Sequence, residues 1–154
     1  MRLLPLTVCT AVLLSACGAS DSDSDTFAVE FLNTPEMENL DLPFSDAVRA
    51  GPFLFVSGKI GNVPGTMDLA PGGIGGETRQ ALENIRTSLE RNGASMNDVV
   101  KCTVFLADIG EWAAMNEVYK TFFPHNRPTR SALGVNGLAL DARVEIECFA
   151  ALAD

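Results

Sequence analysis

Glu145 and Glu147 stand two residues apart in Val-Glu-Ile-Glu-Cys-Phe-Ala, residues 144–150. The period of a strand puts Val144, Ile146, Cys148 and Ala150 on one face and Glu145, Glu147 and Phe149 on the other. Carboxylates in the body of a sheet are costly unless they are paired or wet. Arg130, in the preceding strand-like run, is the obvious cation for them. A guanidinium grips a carboxylate through two parallel hydrogen bonds, and a carboxylate can accept and return a proton. The same residue types also make an ordinary structural ion pair at a strand end, and spacing alone leaves both readings open.

Other chemistry-bearing residues are weaker. His125 is the single histidine and sits in the Pro124–Pro128 loop, where it reads as a surface residue rather than a base. Ser131 has no placed base beside it. Gly72, Gly73, Gly75 and Gly76 precede a helix, yet no Lys-Ser/Thr follows, so they read as a structural loop rather than a phosphate cradle. Cys102 and Cys148 each lie inside an apolar run without metal-ligand spacing. They read as two buried, inert thiols; a disulfide would need their strands to be neighbours in an oxidising compartment.

These residues need elements to hold them. Ala28–Leu32 and Ser45–Ala50 are candidate strands, and Gly51-Pro52 turns into a third at Pro52–Ser57. Residues 61–76 are rich in Gly and Pro and read as a loop. Thr78, Leu82, Ile85 and Leu89 recur at helical spacing within Glu77–Asn92, and Asn92-Gly93 ends that helix. Val99–Leu106 is a strand. Asp108 and Glu111 fit a capping box for a second helix whose apolar side carries Trp112, Met115, Val118, Tyr119 and Phe122, both aromatic polar residues reading as core. Thr129–Val135 and Arg143–Ala151 are the last strands. The order β-β-β-α-β-α-β-β gives an α/β sheet with two helices. Two helices cover one face, while Phe53, Leu54, Phe55 and Val56 alternate across both, so a second copy of the chain is the expected cover and a cleft between copies the expected site.

Of 154 residues 47% are hydrophobic, enough for one globular core. The net charge of −9 and the lack of a basic cluster disfavour RNA or DNA as partner. Residues 1–16 read as a signal peptide: Arg2 precedes an apolar run from Leu3 to Leu14 that is too short to span a bilayer. Leu14-Ser15-Ala16-Cys17 resembles a bacterial lipobox, which makes Cys17 the lipidated first residue and residues 17–25 a polar, flexible tether. The domain proper is 26–154. The implied location is the periplasmic face of the envelope, lipid-anchored, with Gly18 after the Cys resembling the outer-membrane pattern.

Six stretches in order, FLFVSGKIG (53–61), APGGIGGETRQALENI (70–85), DVVKCTVFLADI (98–109), MNEVYKTFF (115–123), PTRSAL (128–133) and VEIECFA (144–150), resemble the RidA (YjgF/YER057c/UK114) family of reactive-intermediate deaminases. The similarity runs from about Leu42 to Leu152. It implies a chorismate-mutase-like α/β fold, a mixed sheet covered on one face by two helices, in homotrimers with sites between subunits. Position by position, the family's carboxylate-binding arginine falls on Arg130 and its catalytic glutamate on Glu145. Ser57 and Gly58 match the Ser-Gly that lines the pocket, and Asn116 the helix asparagine near it. Ala132 stands where the family often has Cys, and Phe44 where it often has Tyr.

The resemblance implies hydrolysis of enamines or imines such as 2-aminoacrylate and 2-iminopropanoate to 2-oxo acids and ammonia, with no metal or organic cofactor. Arg130 would orient the substrate carboxylate and Glu145 would activate water. Burial raises the pKa of such a glutamate and a nearby arginine lowers it. The rival reading is a non-catalytic binder of small carboxylates, or a holdase-like envelope protein, on the same fold.

Overall fold

The computed structural model describes residues 27–153. The expected leader (1–16), the lipidated Cys17 and the whole of the tether to residue 25 lie outside the described residues. Nine principal elements follow one another: β1 (Val29–Leu32), α1 (Pro35–Asn39), β2 (Ala47–Ala50), β3 (Phe53–Ile60), α2 (Gly73–Arg91), β4 (Val99–Leu106), α3 (Trp112–Phe122), β5 (Thr129–Gly134) and β6 (Val144–Ala151). The strands form one sheet in the order β1-β2-β3-β6-β4-β5, in which β4 and β5 are parallel and every other pair antiparallel. Two connections are crossovers between parallel strands: α3 joins β4 to β5, and α2 joins β3 to β4, which are both antiparallel to the β6 between them.

Both long helices pack on one face. Leu82, Ile85 and Leu89 of α2 and Met115 and Phe122 of α3 meet Leu54 and Val56 of β3, Val104 and Leu106 of β4, and Ile146 and Cys148 of β6, all buried. The helical spacing of 78, 82, 85 and 89 thus reports the buried side of α2 directly. Truncating a side chain such as Ile85 to Ala would cost about 2–5 kcal/mol in a core of this kind.

The other face of the sheet carries Phe53, Phe55 and Phe149, with the Phe55 and Phe149 rings 4.9 Å apart. Phe53 and Phe55 remain 45% and 38% exposed, so no element among the described residues covers them. The alternation in Phe53–Val56 is therefore one residue set for the helices and one for an uncovered face.

Several expectations change. α1, a single turn capped by the Thr34 hydroxyl and opened by Pro35, leaves no apolar period to read. α2 starts at Gly73 rather than Glu77, because Gly72, in the left-handed region at φ 103°, lets the chain enter the helix through glycines that look like loop. Asp108 caps Gly110 N–H at 2.8 Å, but Glu111 turns to Arg143 instead of closing a capping box, and a short 3-10 turn precedes α3. The reciprocal capping box lies instead at Ser95 and Asp98. Trp112, expected in the core, is 46% exposed.

Cys102 and Cys148 are not free thiols. The β4–β6 register sets them directly opposite each other, and they form a disulfide with Cα atoms 4.1 Å apart. They are 46 residues apart in sequence, so the pairing is invisible until β6 is known to insert between β3 and β4.

Candidate active site

The register between β3 and β6 breaks at Ser57-Gly58. Val56 faces Cys148 and Lys59 faces Ile146, so three steps on β3 match two on β6, a β-bulge. The bulge reverses the parity of β3: Lys59 turns to the helix side, and Ile60 pairs with Glu145. Gly58 lies under the Glu145 carboxylate. A Cβ there would overlap Glu145 Oε1 and lie 2.9 Å from Cδ, so only glycine leaves room for the acid. Ser57 ties the bulge to the segment before β2: its hydroxyl donates to Ser45 O at 2.6 Å and its N–H to Asp46 O at 3.0 Å.

Glu145 and Gly58 open onto a cleft of about 1270 Å³ that Phe44 also lines, 53% exposed. Burial raises the Glu145 carboxyl above its ordinary pKa, and the charge of Glu147 pushes the same way. A carboxylate so placed holds a proton more readily than a surface glutamate, which suits a group that must both take and return one.

A buried polar network closes one wall of this cleft. Asp46 accepts from Lys59 Nζ at 2.5 Å, from Ser88 Oγ at 2.6 Å and from Arg91 Nη1 at 3.4 Å. Burial alone would raise the Asp46 carboxyl, but the hydrogen bonds from Lys59 and Ser88 and the charges of Lys59 and Arg91 outweigh it and hold it below its usual value. Nothing in the sequence singles this network out, because Lys59 reaches Asp46 only by virtue of the bulge. The adjacent Ser57-Gly58, a glycine inside a strand pattern, is the signal that could have found it.

Arg130 occupies a different place. On β5 it pairs with Cys102, a helix-face position, and its guanidinium lies 4.6 Å from the Tyr119 ring centroid and 5.9 Å from that of Trp112. A cavity of about 360 Å³ opens here, lined by Asn116, Tyr119, Lys120, Arg127 and Arg130 among others. Burial pushes the Tyr119 phenol up to about 12 against the opposing charge of Arg130, so at neutral pH it is a neutral ring under a cation. Tyr119, buried in the core as the helix pattern implies, and Trp112, which is not, together form the platform for the arginine. Ala132 follows on the same side of β5, half-buried against the core, and lines neither cavity.

The expected partnership of Arg130 with Glu145 and Glu147 therefore fails inside one chain. β4 lies between β5 and β6, and the acids project from the face opposite Arg130. β5 and β6, consecutive in sequence, are not neighbours in this sheet. Within a single chain the structure groups Asn116 with Arg130, and Phe44 and Gly58 with Glu145, with Ser57 at the bulge.

A mixed sheet covered on one face by two helices is the fold of the solved structures this chain resembles. The family model described as Endoribonuclease L-PSP matches residues 37–152, and the chain belongs to that family, to which the RidA resemblance also points. A RutC family protein of Pyrococcus horikoshii is 46% identical over 108 residues, 70% of this chain and 86% of that protein. The 2-iminobutanoate/2-iminopropanoate deaminase of Mus musculus is 42% identical over 108 residues, 70% of this chain and 80% of the relative. Among solved structures, Escherichia coli TdcF with bound serine superposes with a TM-score of 0.69 at 36% identity, covering 73% of this chain and 90% of that one.

Proposed function

We propose that the protein hydrolyses reactive imines and enamines derived from amino acids, of the 2-iminopropanoate and 2-aminoacrylate kind, to 2-oxo acids and ammonia. The observation that carries the reading is the Glu145 carboxylate seated on Gly58 at the mouth of an open cleft, its pKa raised by burial. The identity with the mouse deaminase supports it. Glu145 takes a proton from water as the water oxygen bonds to the imine carbon, and the nitrogen is protonated in turn. The resulting carbinolamine collapses, the carbon–nitrogen bond breaks, ammonia leaves and the carbonyl forms. Proton transfer of this kind contributes about 10²–10⁴ in rate. Arg130 binds the substrate carboxylate through two parallel hydrogen bonds.

Because Arg130 and Glu145 lie on opposite faces of one sheet, they meet only if different copies supply them. The exposed Phe53 and Phe55 give the second copy its apolar landing surface, and a homotrimer with sites between subunits satisfies both requirements. The test is the loss of freshly generated 2-iminopropanoate with the full chain beside Arg130→Ala and Glu145→Gln. Acceleration of ammonia release that both variants abolish supports the deaminase. No acceleration by the parent, with pyruvate still binding through Arg130, replaces it with a carboxylate binder, a reading favoured by the serine bound in TdcF.

We further propose export to the periplasmic face of the envelope, with a lipid on Cys17. The sequence Leu14-Ser15-Ala16-Cys17 supports this, as does the Cys102–Cys148 disulfide, a bond that persists in oxidising compartments. Metabolic labelling with a radioactive fatty acid would mark the parent and spare Cys17→Ala; labelling of both would overturn the proposal.

A further inference from the structure

The cleft beside Glu145 is larger than a two- or three-carbon imine needs, since about 300–1,000 Å³ already holds drug-sized ligands and this one has about 1270 Å³. Its polar wall offers little to a ligand. Lys59, Ser88 and Arg91 all turn to Asp46, and Asn84 Nδ2 donates to Ile60 O at 3.1 Å and Asn62 O at 3.0 Å. Most of what faces the cleft beyond Glu145 is apolar, although the side chains of Thr34, Glu36, Thr66 and Thr87 also reach it. Leu40 from the end of α1, Leu42 and Phe44 from the segment before β2, Met67 from the loop after β3 and Leu140 before β6 all line it. Leu40 and Met67 are 65% and 72% exposed, an expensive arrangement for a surface with no occupant.

We propose that this wall receives the side chain of the substrate, and that the protein selects imines bearing a large apolar substituent, those of the leucine or phenylalanine kind, over the methyl-bearing imine of alanine. The inference rests on the imine-hydrolase reading above and sharpens it. Glu145 fixes where the imine carbon must lie, and the substituent on that carbon then extends along the apolar wall. Each additional buried methylene is worth roughly tenfold or more in discrimination, so several together produce a preference that ordinary kinetics resolves.

The test compares kcat/KM of the full chain for imines formed in situ by an amino-acid oxidase from L-alanine, L-leucine and L-phenylalanine, read as ammonia release above the buffer rate. The leucine- and phenylalanine-derived imines should exceed the alanine-derived one by at least about tenfold. Leu40→Ser and Met67→Ser, at exposed positions outside the core, should lower the large substrates several-fold more than the small one. Equal or better turnover of the alanine-derived imine, as would follow if a neighbouring subunit filled the cleft, overturns the selectivity and leaves the hydrolase standing. No acceleration of any imine overturns both.

Discussion

The Arg130 cavity and the Glu145 cleft are built by opposite means. Arg130 is held by stacking: a cation over two aromatic rings of α3, in a small cavity that three basic side chains border. Glu145 is held by absence: a carboxylate resting where glycine has no side chain, on a bulge that breaks the ladder. The first is suited to recognise a charge and the second to tolerate a half-buried acid whose proton is loosely committed. The sheet keeps them apart in one chain, which separates binding from chemistry until two copies join.

The largest effect should come from that separation. Arg130→Ala and Glu145→Gln are each expected to lose about 10²–10⁴ in kcat/KM, the first through substrate orientation and the second through proton transfer. Mixed as subunits of one cyclic assembly in equal amounts, they should regain about a quarter of parental activity, because one in four interfaces pairs an intact arginine with an intact glutamate. A mixture as inactive as its components places both residues of each site in the same chain.

Gly58→Ala attacks the glutamate half alone. The added methyl overlaps Oε1, so the carboxylate must swing away and kcat should fall about a hundredfold, while carboxylate affinity through Arg130 stays near the parental value. Tyr119→Leu attacks the other half. It removes the nearer ring under Arg130, worth about 0.5–2 kcal/mol, so KM should rise several-fold with kcat little changed. Reversal of those two signatures would show that the halves exchange roles.

How much of this was legible in the sequence depends on what fixes each feature. The buried side of α2 and the alternation of β6 are local periodicities, and both stand in the structure as the residues imply. Strand order is not local. β6 inserts between β3 and β4, and that one fact makes Cys102 and Cys148 a pair and takes Arg130 away from Glu145. Parity is fragile too, since one extra residue at Ser57-Gly58 sends Lys59 to Asp46 instead of the open face. Candidate residues were therefore nameable from their types and the family resemblance, whereas their partners followed only from topology.

The smallest effect is the sharpest on the join between the halves. Burial and then Glu147 raise the Glu145 carboxyl above its unfolded value. Its protonated form is the one the fold favours, so its contribution to stability is complete below about pH 4.3 and is lost as pH rises through the folded pKa. Glu145→Gln removes the charge that burial opposes. At pH 7 the variant should therefore be the more stable, by less than about 1 kcal/mol because water screens a half-exposed carboxylate, and the difference should vanish near pH 4. Thermal unfolding of both proteins across that range reads it. A variant less stable than the parent at pH 7 would mean that a cation compensates Glu145 in the assembled protein. Adding Arg130→Ala then identifies the source: if Arg130 of a second copy reaches the acid, the double variant loses no more than Arg130→Ala alone, and the two halves are joined by charge as well as by substrate.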